Sequence, residues 1–148
     1  MYRHIVVALD SCEYSEAFLT RIIYLAQPLG STVHLLCVFP PCRAKLSRAC
    51  STDRQQAREH RTMQYLRQVA TRFRSAGLFV SMDVRCGEPV ETILATAREV
   101  GADLIAMTTA WEEQVDSVTT STVVEQVMRR APVTVMIDQA RYATVATV

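Results

Sequence analysis

The residues able to do chemistry gather in three stretches of the chain. Asp10 closes a short apolar run, "HIVVAL" at residues 4–9. In "MTTAWEEQVDSVTTST", residues 107–122, hydroxyl side chains surround Glu112, Glu113 and Asp116. A basic stretch carries Arg43, Lys45, Arg48, Arg54 and Arg58. Carboxylates such as Asp10 with Glu112 or Asp116 suit Mg²⁺, which is held by one or two carboxylates together with substrate phosphates. A loop followed by a helix N-terminus suits the phosphates themselves, provided glycines let the backbone come close. Residues 107–122 contain no glycine, and their acids add negative charge where a phosphate would lie.

Other chemistries find less support. No G-x-S-x-G nucleophile elbow, H-x-x-x-H pair or Walker P-loop is present. His4, His34 and His60 fall on separate elements. The five cysteines are an odd number without a CxxC, which fits a reducing compartment better than a disulfide framework. Cys42 and Cys50 lack partners at zinc spacing, and Cys37 and Cys86 read as small buried or incidental thiols. Cys12 falls near the start of a helix, where the dipole lowers a thiol pKa, but one thiol without a resolving partner is a weak redox signal. The expectation is a protein that is not an enzyme, with no catalytic residue and no metal.

These residues must be positioned by the rest of the chain. With 148 residues, it is about one domain long and able to bury a single core. Sixteen basic and fifteen acidic side chains nearly cancel, which argues against a surface built to neutralise nucleic-acid phosphates. No apolar run approaches the roughly 20 residues needed to cross a bilayer. "MYRHIVVALD" lacks a signal-peptide h-region and cleavage site, so neither nucleic acid nor membrane is expected as a partner, and the expected location is the cytoplasm.

Strand and helix patterns alternate along the chain. "HIVVAL" reads as a strand buried on both faces. From Ser15 a helical stripe of Phe18, Ile22, Leu25 and Leu29 follows, with Pro28 in its last turn and Gly30 to end it. "TVHLLCVF" (32–39) is the second strand, stopped by Pro40-Pro41. A polar, arginine-rich segment follows from Cys42 to about Thr52; the region 40–60 as a whole is expected to be a long flexible loop. Met63, Leu66, Ala70 and Phe73 mark the second helix, whose arginines read as a solvated face with Glu59. "LFVSMDVR" (78–85) is the third strand. Gly87 and Pro89 open a helix with Val90, Ile93, Leu94, Ala97 and Val100 inward. "DLIAMT" is the fourth strand; Val124, Val127, Met128 and Ala131 mark the last helix, and "VTVMI" (133–137) is the fifth strand. This order implies an α/β fold with a parallel sheet covered by helices on both faces. Ligands of such sheets sit beyond the carboxyl ends of the strands, here at Asp10 and Met107 to Thr109.

Three blocks, "HIVVALDSCEYSEAFLTRIIYLAQPLGSTVHLLCVF", "VRCGEPVETILATAREVGADLIAM" and "VVEQVMRRAPVTVMI", together resemble the universal stress protein family. The resemblance implies a doubly wound, Rossmann-like five-stranded sheet in the order 3-2-1-4-5, one domain over 1–138, a tail over 139–148, and a homodimer through the last strand. One branch of that family binds ATP through a G-x-x-G-x9-G-[S/T] loop after strand four. In this chain the three glycine positions fall on Thr108, Trp111 and Ser121, and only the final hydroxyl survives, as Thr122. Asp10 matches the strand-one acid that faces the nucleoside, Val38 a strand-two residue near the base, and Met107 the residue ahead of the loop. Asp10 also reads as a helix cap and Val38 and Met107 as core, with no ligand needed. Met107 and Trp111 together suit an apolar pocket, although Trp111 equally suits packing against the last helix.

Two functions in different classes follow. The favoured one is a stress-response protein acting as a homodimeric interaction module without ATP or another cofactor. The alternative is a sensor binding an adenine nucleotide such as ATP, or another small molecule, in a modified pocket at the ends of strands one and four. The partner expected first is a second copy, paired through residues 133–137 because an unpaired edge invites pairing; the tail folding back over that edge is the other solution. An unknown protein partner is the second expectation, with the basic side chains docking an acidic surface.

Overall fold

The structure is a computed structural model that describes residues 1–9, 16–39, 52–108 and 122–138. Nine elements alternate: β1 (His4–Leu9), α1 (Glu16–Leu29), β2 (Thr32–Phe39), α2 (Thr52–Ser75), β3 (Phe79–Cys86), α3 (Pro89–Val100), β4 (Leu104–Thr108), α4 (Val123–Arg130) and β5 (Thr134–Asp138). The strands form one sheet in the order β3-β2-β1-β4-β5, and every pairing is parallel. This is the expected fold and strand order. The region 40–60 needs a correction: residues 52–60 are the first part of α2, and residues 40–51 lie outside the described part.

Strand periodicity divides the core in two. Ile5, Val7 and Leu9 of β1 join Leu35, Cys37 and Phe39 of β2 against Phe18 and Ile22 of α1 and Leu66, Ala70 and Phe73 of α2. Val6 and Ala8 point the other way, with Leu36, Val38, Ile105 and Met107, against Ile93 and Leu94 of α3 and Val124 and Val127 of α4. Both faces are therefore covered, which is why β1 reads as a continuous apolar run. Each fully buried large side chain stabilises by about 1.5–3 kcal/mol relative to exposure.

The helices stop where the sequence said they would. Gly101, at φ +65°, ends α3 in the left-handed region that a Cβ disfavours. Pro28 is tolerated in the final turn of α1. Two inward positions need correcting. Met128 is 57% exposed and Leu29 is 43% exposed; Val123 and Ala26 are buried in their respective helices instead. In both cases the stripe is narrower than helical spacing alone suggests.

Candidate functional site

Four of the seven sequence-predicted site residues fall in the described part: Val38, Met107, Thr108 and Thr122. Asp10, Trp111 and Ser121 lie outside the described residues. Val38 ends β2 but for one residue and Met107 precedes the last residue of β4, so both stand at the carboxyl end of the sheet. They are 3% and 0% exposed and belong to the same apolar cluster as Val123 and Val124. The structure thus brings them together, as core side chains beneath the start of α4.

Thr108 is different. Strand alternation sends it to the face of Ala106, away from Met107. It is 3% exposed, and its Oγ1 is buried without a hydrogen-bond partner among the described residues. A buried hydroxyl left so costs about 1–3 kcal/mol. Its register partner across β4 and β5 is Asp138, whose carboxylate accepts from the Arg21 guanidinium of α1. Sequence spacing gave no sign of the Arg21–Asp138 pair, which joins residues 117 positions apart.

Thr122 is the N-cap of α4. Its backbone is extended and its Oγ1 accepts from the Glu125 N–H at 3.2 Å. That satisfies one of the four N–H groups that open a helix, and it engages the one hydroxyl that the glycine-loop pattern retains. Of these residues, Val38 and Met107 are core, Thr122 caps its own helix with its O–H still available as a donor, and the guanidinium of Arg21 is held by Asp138. Among the described residues no group of three or more His, Cys, Asp or Glu side chains is placed to hold a metal.

The opposite end of the sheet carries a polar arrangement of its own. His4 and His34 stack with ring centroids 5.6 Å apart. His4 Nδ1 lies 3.4 Å from His34 Nε2, and His34 Nδ1 lies 2.5 Å from Ser81 Oγ. On the other flank, Asp103 accepts from the backbone N–H groups of Arg3 and His4 at 2.8 and 3.1 Å. A polar row therefore crosses β3, β2 and β1 to the start of β4. Burial, then the neighbouring His4, hold the His34 pKa below its usual 6.5. Burial opposes ionisation of Asp103, but backbone hydrogen bonds from Arg3, His4 and its own N–H hold its carboxyl below the usual range. At the β3 edge, Arg85 donates to Asp83 at 2.7 Å and to Glu99 of α3 at 2.6 Å. Those hydrogen bonds raise the Arg85 pKa, and the bond from Arg85 lowers that of Glu99.

With this geometry in hand, comparison with known proteins places the chain. The model of the universal stress protein family matches residues 1–138. No curated protein sequence matches the chain. Solved structures do. A universal stress protein family member from Burkholderia pseudomallei is 21% identical with TM-score 0.73, covering 93% of this chain and 96% of its own. The universal stress protein UspA from Lactobacillus plantarum is 19% identical with TM-score 0.76, at 92% and 97% coverage. The universal stress protein from Archaeoglobus fulgidus, solved in complex with dAMP, is 19% identical with TM-score 0.65, at 92% and 97% coverage. At these identities the structural likeness carries the fold. Among the described residues no helix is long and apolar enough to cross a membrane.

Proposed function

The chain belongs to the universal stress protein family, and from that premise we propose that it is a stress-response protein that works as a homodimeric interaction module in the cytoplasm, without catalysis or ATP binding. One observation carries the dimer. β5 is the outer strand of the sheet, and Val135, Met136 and Ile137 are only half-buried along it. An apolar edge with unpaired backbone groups is a liability until something pairs with it. The same strand of a second copy does so by twofold symmetry. The absence of glycine between Met107 and Thr122 supports a loop that has left phosphate binding.

Sedimentation of the full chain beside a chain ending at Asp138 tests the dimer. Dimers of both are expected; a full-length monomer that associates only after truncation would mean that residues 139–148 cover the edge. Calorimetric titration with ATP and Mg²⁺, on protein stripped of nucleotide, tests the other half, and no heat is expected.

A second reading rests on Thr108. Its orphaned, buried hydroxyl is what a pocket for a small polar ligand would present, and a solved relative in this fold holds dAMP. Under the first reading, Thr108→Val removes an unsatisfied group at constant shape and raises stability by about 1 kcal/mol, read from denaturant midpoints. Nucleotide binding that this substitution abolishes would overturn the first reading in favour of the second.

A further inference from the structure

Two histidines meet at the amino-terminal end of the sheet. His4 opens β1 and His34 lies on β2, and strand alternation puts both on the α3/α4 face with Val6 and Leu36. The apolar cluster of that face begins at Val6 and Leu36. The histidines stand at its margin, half-buried, beside the exposed Ser81 of β3, so an ion with its waters can reach them. Two ring nitrogens already face each other there. The rings lie 24° from parallel, and His4 Nδ1 is 3.4 Å from His34 Nε2. Two nitrogens bound to one tetrahedral zinc, each at about 2.0–2.1 Å, stand about 3.4 Å apart. The spacing is therefore in place, and a modest tilt of each ring brings both lone pairs onto one ion.

The surroundings suit a ligand pair as well. An imidazole that binds a metal gives its second N–H to a nearby acceptor, which fixes the tautomer and the ring orientation. His34 Nδ1 has such an acceptor in Ser81 Oγ, at 2.5 Å, and in that tautomer its Nε2 lone pair is turned toward His4. Asp103 spends one carboxylate oxygen on the Arg3 N–H and the other on the His4 N–H. It anchors the start of β1 and is not counted as a ligand. Without an ion, His4 carries its proton on Nδ1 and donates it to His34. When an ion binds, that proton is carried on His4 Nε2 instead, and Nδ1 becomes the second ligand.

We propose that His4 and His34 form a binding site for one divalent transition-metal ion, zinc above all, with water in the remaining positions. Imidazole suits zinc, copper and nickel, whereas Mg²⁺ and Ca²⁺ are held by oxygen. This departs from the expectation of no metal drawn from the sequence. The two residues are 30 positions apart and become neighbours only when β1 pairs with β2, so no ligand spacing along the chain announces them. His34 lies four residues, about 13 Å, along β2 from Val38, with Leu36 buried between them. The pair is thus at the end of the sheet opposite Val38, Met107 and Thr108, and β4 separates it from the β5 edge. It is independent of both the vestigial nucleotide position and the proposed dimer.

Zinc is the probe, titrated calorimetrically into the full chain after treatment with a chelator. One ion per chain is expected. Losing a supporting hydrogen bond costs a metal site about 10–100-fold in affinity, so Ser81→Ala should weaken binding by about tenfold. His4→Gln and His34→Gln, which each remove a ligand, should weaken it by more. His60→Gln, on α2, should change it by less than about twofold. Zinc should also raise the melting temperature of the parent and leave that of His34→Gln where it was, a response that a merely structural histidine pair does not give. Melting temperatures without metal establish that the variants fold, and the exposed Ser81 keeps the test open if a histidine variant does not. Cobalt(II) in place of zinc should show the weak visible bands of nitrogen and oxygen ligation. A thiolate charge-transfer band that disappears in Cys86→Ser would overturn the proposal by moving the ion to a cysteine. Failure of zinc to bind, or binding that both histidine variants retain, would overturn it as well.

Discussion

The two edges of the sheet are built on opposite plans. β3 is the longer, eight residues against five for β5, yet it is the guarded one. Asp83 and Arg85 share one face of the strand and are tied to Glu99, Ser81 is held by His34, and Arg74 of α2 donates to the Val80 carbonyl at 3.4 Å. Inward-facing charge and a side chain spent on an edge carbonyl are the means by which proteins keep edges from pairing. Along β5 the residues from Thr134 to Ile137 carry no charge, and the only ionised side chain, Asp138, sits at the strand's end with Arg21. Of the two, β5 is the edge that the proposed pairing with a second copy would use, because between Thr134 and Ile137 nothing charged stands along it.

The comparison breaks most sharply at β5. Val135→Lys puts a charge from each copy along the proposed twofold edge, where like-charge juxtaposition costs several kcal/mol, so dimer affinity should fall by at least about 100-fold. Sedimentation velocity reads this directly, with circular dichroism to establish folding. A variant that remains dimeric at micromolar concentration would remove β5 from the interface.

The opposite substitution unguards β3. Arg85→Ala leaves Asp83 and Glu99 without their shared partner and opens the edge, and about a tenfold rise in self-association above the dimer is expected. Light scattering across a concentration series measures it. If scattering stays at the parent level, the ion network does not protect the edge.

The smallest effect is in pH. The folded His34 pKa lies below its ordinary 6.5, so the unfolded chain takes up a proton that the native chain refuses. Stability is full above about 6.5 and falls as pH drops below it, until the folded pKa is passed. Protonation also removes the ring acceptor facing His4 in the tautomer that donates to Ser81, which loosens the contact between the starts of β1 and β2. His34→Gln should flatten the denaturant midpoint between roughly pH 7.5 and 5.5. A slope equal to the parent's would assign the titration to another group.

The sheet was legible because its strands are buried on both faces: "HIVVAL" and "TVHLLCVF" leave little choice but β1 and β2, and "DLIAMT" contains all of β4. Helices with wide stripes were legible for the same reason. Met128 was not, since α4 is eight residues long and its buried side chains, Val123, Val124 and Val127, form too narrow a band to reveal which neighbour faces out. The site was half legible. Val38 and Met107 follow from strand order, but the face to which Thr108 turns depends on its being the last residue of β4, and spacing to the loop does not say so. The Arg58–Phe39 stack and the His4–His34 contact are products of packing between elements 19 and 30 residues apart, and no local pattern announces either.

The Ser81–His34–His4–Asp103 row has one further consequence. Strands whose two faces are both apolar carry little information about their own alignment: sliding β1 past β2 by one residue replaces hydrocarbon with hydrocarbon. In sheets with one wet face, such a slip is penalised at every position. Here the penalty is concentrated at one end, where a shift would pull two half-buried imidazoles out of line with the hydroxyl and the carboxylate-bound backbone that flank them. The row acts as an index mark, allowing four interchangeable-looking ribbons to lock at a single setting.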